Sequence, residues 1–275
     1  MCAVEQIKIV SAKASEWNIL TSGLTKEYDG LRAVDSLDLR VAPGEFFGFI
    51  GPNGAGKTTT INLLCGLLRP TTGSAQVAGF DVQRQPTEVK ARIGVLQDEP
   101  ALYEELRGSE FLEFVGGMRG LQAEEASQRS QRLLSFLDLS EASGQSLGEY
   151  SAGMRKKIAL AAALMHRPQV LLLDEPFNGI DPVSSRVIKD LLLELTQRGV
   201  TVFFSSHVLE VTERLCTRVG IIHRGRLVAC DSPAALRASL ALDEEASLED
   251  VFLRVVGATK GEEDLGWLLE GAPPR

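Results

Sequence analysis

The sequence predicts an α/β fold built around a mostly parallel β-sheet, and two patterns support this prediction. First, short apolar runs at Phe46–Ile50, Val170–Leu173, Val200–Phe204 and Val219–His223 alternate with segments of helical periodicity. Strands that are apolar along their whole length are typical of parallel sheets, because helices cover both faces. Second, a glycine-rich loop, 51–56, stands between the first apolar run and a helical pattern. At 275 residues the chain suits one large domain, or one domain with a small appendage.

The amino-terminal part of the chain is predicted to be rich in strands. Residues 1–17 carry no strong pattern and are interpreted as an N-terminal extension. From about residue 18 to 96 the sequence favours β-strands joined by turns. Besides Phe46–Ile50, the candidate strands are Asn18–Ser22, Val34–Val41, Ser74–Val77 and Ile93–Val95.

The middle of the chain changes to helical patterning and the end is weakly patterned. Between about 98 and 165, apolar residues such as Phe111, Phe114 and Val115 recur at helical spacing. Residues 241–275 are interpreted as a C-terminal tail, acidic at first, then weakly patterned and frayed at its Gly-Ala-Pro-Pro-Arg end. The sequence therefore predicts a helical subdomain followed by a return to α/β structure and a tail.

The glycine-rich loop fits the phosphate-binding pattern G-x-x-x-x-G-K-[ST] at every fixed position. Glycines allow several backbone N–H groups to approach a phosphate chain, and the following helix directs the positive end of its dipole at it. The apolar helical pattern after the loop extends to Leu68. Lys57 supplies charge for the β- and γ-phosphates, and the Thr58 hydroxyl can bind Mg²⁺. The predicted nucleotide-binding residues are Gly51, Pro52, Asn53, Gly54, Ala55, Gly56, Lys57, Thr58 and Thr59.

A second feature of phosphoryl-transfer chemistry follows the apolar run Val170–Leu173. Asp174 and Glu175 come directly after this run, about 115 positions beyond the glycine-rich loop. A carboxylate can hold Mg²⁺, and a second one can orient the attacking water. We therefore predict that Asp174 and Glu175 divide these two roles.

Composition excludes several other classes of protein. The net charge of −8 argues against a general nucleic-acid binder, which needs a basic surface. The mean hydropathy is +0.02, no apolar run approaches the length of a membrane span, and the N-terminus lacks the pattern of a secretory signal. The four cysteines have no C-x-x-C spacing, so we expect free thiols in a reducing compartment.

Seven motifs, in order, resemble those of the ATP-binding subunit of an ABC transporter over residues 18–240. Besides the phosphate loop and the acidic strand end, they are Tyr28 in Leu-Thr-Lys-Glu-Tyr, Gln97 in Ile-Gly-Val-Leu-Gln, Tyr-Ser-Ala-Gly-Met-Arg-Lys-Lys at 150–157, Asn-Gly-Ile-Asp at 178–181 and Ser-Ser-His at 205–207. The resemblance implies a P-loop ATPase core with an antiparallel β subdomain and the helical subdomain, and the cofactors ATP and Mg²⁺.

The resemblance also implies roles for individual residues. Tyr28 would stack on adenine, and His207 would sense the γ-phosphate. Gln97 would lie between the metal site and a membrane partner, contributing to metal binding with Thr58 and Asp174. Catalysis would then depend on Glu175, His207 and Gln97, with Glu175 as the base.

The resemblance implies that each ATP site is shared between two subunits. Ser151 and the backbone of Gly153 would contact the γ-phosphate held by the opposite subunit. The commonest family sequence here is Leu-Ser-Gly-Gly-Gln, so Ala152 and Met154 are departures that leave the turnover rate open. The Tyr-Ser-x-Gly-Met form, together with Ser-Leu-Glu-Asp-Val-Phe-Leu at 247–253, resembles the exporter branch.

Partners and location follow from the same resemblance. We expect a second ATP-binding subunit, in a homodimer or with a paralogue, and a separate transmembrane permease. The chain would be peripheral, at the cytoplasmic face of the membrane. The predicted docking groove for the permease is lined by Gln97, Glu99, Leu102, Tyr103 and Leu106.

Two other functions were weighed against transport. A soluble ATPase of the same family acting in DNA repair would carry a long coiled coil between phosphate loop and signature, yet Ser151 follows Lys57 by only 94 positions. A ribosome-associated member would usually carry two cassettes and a basic linker. A regulatory module without turnover is disfavoured, because Glu175 and His207 are both present.

One motif is interpreted as a chance match. Gly144–Gly148 fits the G-x-S-x-G pattern of serine hydrolases. That nucleophile elbow needs a strand before it and a helix directly after it, whereas a helix end and a polar loop precede this segment.

Overall fold

The computed structural model describes residues 16–243 and 245–257, which form two sheets with helices packed around them. The first sheet is antiparallel, with strand order β2-β1-β4-β5. Its strands are β1 (Ile19–Tyr28), β2 (Leu31–Val41), β4 (Thr72–Val77) and β5 (Phe80–Asp81). The second sheet has the order β10-β9-β3-β8-β7-β6. Its strands are β3 (Phe46–Ile50), β6 (Ile93–Leu96), β7 (Val170–Asp174), β8 (Thr201–Ser206), β9 (Arg218–His223) and β10 (Arg226–Asp231).

The helices connect these strands. They are α1 (Lys57–Leu64), α2 (Pro86–Lys90), α3 (Gly108–Met118), α4 (Ala123–Phe136), α5 (Ala152–Leu164), α6 (Pro182–Gln197), α7 (Leu209–Leu215), α8 (Pro233–Ser239) and α9 (Leu248–Val256). A short 3₁₀ turn, Leu147–Glu149, precedes α5. The prediction of an α/β fold with a mostly parallel sheet is therefore confirmed.

The centre of the larger sheet is completely buried. Every residue of β3, β7 and β8 is buried, as their continuous apolar sequences predict. β3 pairs in parallel with β8 on one side and β9 on the other, and β7 pairs with β8. The carboxyl ends of β3, β7 and β8 therefore meet at one edge of the sheet.

The two faces of this sheet belong to different cores. On one face, Phe47 and Phe203 stack with centroids 5.6 Å apart, in a cluster that also includes Ile61 and Leu64 of α1 and the antiparallel sheet. On the other face, Phe46 meets Phe204 edge to face, also at 5.6 Å, in a cluster with α3, α4, α5 and α6. α1 thus lies between the two sheets, and α3–α5 form a helical region beyond the opposite face.

The element boundaries differ from the sequence predictions in several places. β1 extends to Tyr28 instead of ending at Ser22, and α1 ends at Leu64, so Leu67 and Leu68 lie beyond it. The weak pattern expected beyond residue 240 is wrong for residues 248–256, which form α9. Ser247 and Asp250 make a reciprocal capping box at its start, and Leu248 and Val251 are buried against β9. Residues 1–15 and the Gly-Ala-Pro-Pro-Arg end lie outside the described residues.

Cys65, Cys216 and Cys230 are free thiols, as predicted. Burial raises the pKa of each of these thiols, most of all that of Cys216. They are therefore protonated at neutral pH and pack as small apolar side chains. Over the described ranges, no helix is both long and apolar enough to cross a membrane.

Candidate active site

The glycine-rich loop leaves the carboxyl end of β3 and passes close to the neighbouring backbone. A Cβ atom on Gly51 would lie 2.4 Å from the carbonyl oxygen of Ile222. At Gly56 it would lie 2.3 Å from the carbonyl oxygen of Ala33, and φ there is +109°. Only glycine fits these two positions, because the first lacks space and the second also requires a left-handed backbone.

The loop ends at the N-terminus of α1, whose first N–H groups remain available. Gly56 is the N-cap residue, and no side chain of the described residues caps this end. The buried Lys57 ammonium group donates to the carbonyl oxygens of Gly51, at 2.8 Å, and Pro52, at 3.3 Å. A cation and unpaired backbone donors thus share one concave loop, which is the arrangement that binds phosphate.

Asp174 at the end of β7 is held by the neighbouring strand. It is 3% exposed, and it lies beside Ser205 in the register of β7 and β8. The Ser205 hydroxyl group donates to Oδ1 of Asp174 and accepts the backbone N–H of Glu175 at 3.1 Å. A single serine therefore fixes the aspartate carboxylate and the start of the next residue.

Glu175 is directed towards the loop by an unusual backbone conformation. Its φ of +46° lies in the left-handed region, which costs free energy for a residue other than glycine. Its Oε1 atom is 3.8 Å from Nζ of Lys57, and its Oε2 atom is 3.0 Å from Nδ1 of His207. The carboxylate thus lies between the phosphate-loop lysine and a histidine from the loop after β8.

These groups surround one pocket of about 220 Å³. Residues of the glycine-rich loop and α1 line it together with Asp174 and Glu175. The complete lining is Ala33, Pro52, Asn53, Gly54, Ala55, Gly56, Lys57, Thr58, Thr59, Asp98, Asp174 and Glu175. Most of the predicted phosphate- and metal-binding residues are therefore brought together.

The pocket also contains Asp98, which the sequence analysis did not single out. Asp98 follows Gln97 after β6 and forms an ion pair with Lys156 of α5, with 2.9 Å between Oδ1 and Nζ. Lys156 was missed as well, since a lysine inside a helix carries no sequence signal of burial. Both residues are found only from the packing of α5 against the ends of β6 and β7.

Gln97 itself lines a neighbouring cleft of about 350 Å³. The cleft is mostly apolar, with walls from β6, α3 and α5 and two cations, Lys90 and Arg119, at its edge. Of the predicted groove residues, Gln97 and Leu102 line it. Tyr103 is 60% exposed and packs on Phe114 with centroids 5.5 Å apart.

The remaining predicted residues lie at the surface, apart from the pocket lining. Tyr28 is 43% exposed at the end of β1, and the Lys26 ammonium group is 5.0 Å from its ring centroid. Ser151 is the exposed N-cap of α5, where its hydroxyl oxygen accepts the N–H of Met154 at 3.3 Å. Gly153 follows in the first turn, and a Cβ there would lie 3.3 Å from the carbonyl oxygen of Gly179.

The loop Asn178–Asp181 is fixed where it enters α6. Oδ1 of Asp181 accepts the N–H groups of Ser184, at 2.9 Å, and Val183, at 3.0 Å. These hydrogen bonds, that of Ser184 foremost, hold the pKa of Asp181 below its usual value. Asp181 is therefore a charged N-cap at neutral pH and fixes the loop in front of it.

The G-x-S-x-G match is a chance match, as predicted. Ser146 caps the 3₁₀ turn Leu147–Glu149, and its hydroxyl group donates to the carbonyl oxygen of Glu104. The preceding residues form turns after α4 instead of a strand, so the geometry of a nucleophile elbow is missing at this described segment.

The fold and the pocket define a P-loop nucleotide-binding protein, and comparison with known proteins narrows the class. The sequence model of the family described as ABC transporter matches residues 34–178. The daunorubicin resistance ATP-binding protein DrrA3 of Streptomyces coeruleorubidus is 40% identical over 239 residues, covering 87% of this chain and 74% of the relative. The linearmycin resistance ATP-binding protein LnrL of Bacillus subtilis (strain 168) is 37% identical over 220 residues, covering 80% and 71%.

Comparison with solved structures also leads to ABC transporter ATP-binding subunits. The structure of an ATP-binding subunit of an ABC transporter matches with a TM-score of 0.81 at 28% identity, over 86% of this chain and 98% of that one. A dimeric bacterial ABC transporter cassette, MJ0796, shares the fold with a TM-score of 0.73 at 24% identity, over 78% and 98%. The chain belongs to the ABC transporter family and is an ATP-binding subunit that hydrolyses ATP to power transport.

Proposed function

We propose that the pocket beneath the glycine-rich loop binds the triphosphate of ATP and that Glu175 is the base of its hydrolysis. The observation that carries this proposal is the position of the Glu175 carboxylate, 3.8 Å from the Lys57 ammonium group and 3.0 Å from the His207 ring. Lys57 neutralises charge on the phosphates, and backbone N–H groups of the loop and of the first turn of α1 donate to them. Tyr28, at the end of β1, stacks on the adenine ring.

The donors in the pocket fit Mg²⁺. Asp174 presents a buried carboxylate, of which Oδ1 is engaged by Ser205, and Thr58 presents an exposed hydroxyl group. Oxygen donors of this kind suit Mg²⁺, which usually keeps several waters and binds substrate phosphates. The described residues contain no group of three or more His, Cys, Asp or Glu side chains placed to hold a metal ion. Bound Mg²⁺ would neutralise charge on the phosphate oxygens.

The reaction then requires one water and one proton acceptor. The water oxygen attacks the γ-phosphorus, the bond to the β,γ-bridging oxygen breaks, and ADP leaves with its electron pair. Glu175 accepts the proton of the attacking water. His207 contacts the same carboxylate and holds it towards the γ-phosphate, while Gln97, between this pocket and the neighbouring cleft, completes the site when the subunit closes.

The test compares Glu175→Gln with the parent chain. The substitution keeps the shape of the side chain but removes its ability to accept a proton, so hydrolysis should slow by about 10²- to 10⁴-fold. ATP affinity should stay within a few-fold, and an ATP-bound dimer should accumulate in size-exclusion chromatography. Parent-like hydrolysis by this variant would show that Glu175 is not the base.

The position of the signature segment supports a site shared between two copies of this chain. The exposed Ser151 and the half-buried Gly153 lie at the start of α5, apart from the lining of the pocket in their own subunit. In a head-to-tail homodimer, the start of α5 of one copy closes the pocket of the other. ATP then contributes contacts to both copies, and loss of the γ-phosphate removes them.

The cleft beside Gln97 is the proposed docking site of a separate permease. Its apolar lining, which includes the half-buried Leu102, and the exposed Tyr103 next in sequence suit a short amphipathic segment of a membrane protein. Gln97 lines this cleft, and the next residue, Asp98, lines the ATP pocket. A movement at one site is therefore transmitted to the other through a single peptide unit. We place the chain at the cytoplasmic face of the membrane through this contact.

The direction of transport is proposed to be export. Relatives with 37–40% identity are named for resistance to daunorubicin and to linearmycin. The sequence Tyr-Ser-Ala-Gly-Met of the signature segment agrees with this branch.

A further inference from the structure

Lys156 occupies an uncommon position for a lysine, because its side chain is almost fully buried at a junction of three loops. The residue is 5% exposed, in the second turn of α5. Its ammonium group donates to Oδ1 of Asp98, to the carbonyl oxygen of Glu175 and to that of Asn178, each at 2.9 Å. A lysine has three N–H donors, and all three are used here.

The three acceptors belong to different parts of the active site. Asp98 lines the ATP pocket, Glu175 carries the proposed base, and Asn178 begins the loop that leads into α6. The helix that carries Lys156 begins with Ser151 and Gly153, the residues proposed to contact the ATP of the opposite subunit. One side chain thus joins the signature helix to two of the three acidic residues that line the pocket.

The contact with Glu175 has a specific physical role. Glu175 has a left-handed backbone, with φ of +46°, that other contacts must hold in place. Its N–H group is held by Ser205, and its carbonyl group is held by Lys156. Both polar backbone groups of the strained residue are therefore anchored by side chains of other elements, which fixes the direction of its carboxylate.

A simple ion pair does not explain this arrangement. The carboxylate of Asp98 is 42% exposed, so water can solvate it without Lys156. The two carbonyl groups are different, since each would lose a charge-assisted donor if Lys156 were removed. Lys156 therefore supports the turn 175–178, and the negative charge of Asp98 offsets the cost of burying the ammonium group.

We propose that Lys156 is a positioning residue, which ties the signature helix α5 to the Glu175 turn so that the alignment of the base depends on the position of α5. This inference rests on the proposed role of Glu175. In the proposed homodimer, α5 contacts one ATP through Ser151, while the Glu175 held by the same Lys156 serves the other ATP. Closure around one nucleotide thereby aligns the base at the second.

The test is the steady-state ATPase activity of the full chain carrying Lys156→Met. The unbranched methionine keeps the buried stem but removes every donor. The Glu175 carbonyl oxygen then loses its charged donor and keeps only the N–H of Asn178, at 3.2 Å. We expect kcat to fall about 10- to 100-fold, the effect of misplacing a catalytic group by about 1 Å. KM for ATP should change less than threefold, because the phosphate loop is untouched.

Lys157→Met is the matched control. Lys157 is the next residue, is also buried at 8% exposed, and has its ammonium group 3.4 Å from the Ser184 hydroxyl group, outside the pocket lining. We expect kcat of this variant within threefold of the parent. Lys156→Arg, which restores a cation with several donors, should recover most of the lost kcat. Equal losses in Lys156→Met and Lys157→Met, or no recovery with arginine, would overturn the proposal in favour of general packing.

A double-mutant cycle separates this inference from the proposed function. If Lys156 acts through Glu175, adding Lys156→Met to Glu175→Gln should lower kcat little further, since the group it positions no longer acts as a base. Additive losses would overturn the positioning role while leaving Glu175 as the base. If Glu175→Gln alone has parent-like activity, the proposed function itself fails. Should Lys156→Met not fold, the shorter Lys156→Gln is used in the same cycle and must show the same loss of kcat.

Discussion

The two helix N-termini assigned to phosphate binding, those of α1 and α5, are built in opposite ways. At α1 the N-cap is Gly56, which offers no side chain, and the backbone donors of this turn face the pocket. At α5 the N-cap is Ser151, whose hydroxyl group already accepts the N–H of Met154. α1 lies between the two sheets, whereas the start of α5 is exposed.

This difference supports the proposal that one half of the phosphate site is complete within the subunit and that a second copy supplies the other half. The loop before α1 passes so close to the backbone of Ile222 and Ala33 that only glycine fits at positions 51 and 56. Its backbone donors and Lys57 all come from one chain, so we expect it to bind phosphate without a partner. The start of α5 is capped by its own serine, and it needs a ligand presented from outside. Binding of ATP and hydrolysis of ATP should therefore be separable by mutation.

The largest effect is expected at the phosphate loop and α1, the half of the proposed site that lies within one subunit. Lys57→Ala removes a buried cation from the loop, and hydrolysis should fall about 10³-fold. ATP affinity of the isolated chain should fall about 10- to 100-fold as well, measured by isothermal titration calorimetry. Ser151→Ala is the matched change at α5, and it should leave the affinity of the isolated chain unchanged. Equal losses of ATP affinity in the two variants would show that the N-termini of α1 and α5 do not differ in this way.

The next largest effect is expected at the cleft beside Gln97. Tyr103→Asp places a charge on the exposed rim, so association with permease-containing membranes and transport should fall at least tenfold, in the range of an interface hot spot. ATP binding by the isolated chain should persist, because Tyr103 is outside the pocket lining. Phe136→Asp, at another exposed aromatic of the helical region, is the control and should retain transport. Loss of ATP binding in Tyr103→Asp would show that this residue belongs to the core.

A smaller effect tests whether the two halves come from different subunits. Lys57→Ala and Ser151→Arg should each inactivate the homodimer. In an equal mixture of the two variants, half of the dimers contain one copy of each, and each of these mixed dimers has one intact site. The mixture should therefore recover up to about a quarter of the parent activity. ATPase assays after mixing and re-equilibration measure this recovery. Activity that stays at the level of the single variants would contradict shared, independent sites.

The smallest effect is expected at the far end of α5. His166, just beyond this helix, has a pKa lowered to about 4, chiefly by burial and also by the charge of Arg119. Its Nε2 atom contacts the Ile93 carbonyl oxygen at 2.9 Å, and Nδ1 is buried with no hydrogen-bond partner among the described residues. The folded state therefore favours the neutral ring. This contribution to stability is complete above pH 6.5 and is lost as the pH falls from 6.5 towards about 4.

Urea unfolding at a series of pH values measures this contribution. The free energy of unfolding should decline less steeply below pH 6.5 in His166→Gln than in the parent, since glutamine cannot take up a proton. A decline of the same steepness in both proteins would assign the acid sensitivity to other groups. ATP affinity at neutral pH should be unchanged, because His166 anchors the end of α5 that is remote from Ser151.

The sequence predicts those parts of the molecule whose information is local. The glycine-rich loop, the buried strands β3, β7 and β8, and the acidic pair after β7 are each contained in a few consecutive residues. β10 was missed because its apolar run is only four residues long and the strand lies at the edge of the sheet, where none of its residues is fully buried. α9 was missed although its capping box and the helical spacing of its apolar residues are both present in the sequence.

The contacts of Lys156 could not be predicted, for a physical reason. Its three acceptors lie 58, 19 and 22 positions away in sequence and come together only when α5 packs over the strand ends. The same holds for Ser205, which lies 31 positions from the carboxylate it orients. Residue type and spacing identify the groups that touch substrate, whereas the groups that hold them in place depend on tertiary packing.

The strand order also determines when the larger sheet can form during translation. β3 leads into the phosphate loop, but its two neighbours in the sheet are β8 and β9, and the N–H of Gly44, just before β3, bonds to the Thr201 hydroxyl oxygen 157 positions later. At a translation rate of about 5–20 residues per second, about 8–30 s pass between the synthesis of these two partners. During that interval the fully apolar β3 has no sheet to join and is a natural target for a chaperone. The pocket forms only after the sheet closes, so nucleotide binding at the proposed site would mark a chain whose larger sheet is complete, and the proposed dimer held together by ATP would contain only such chains.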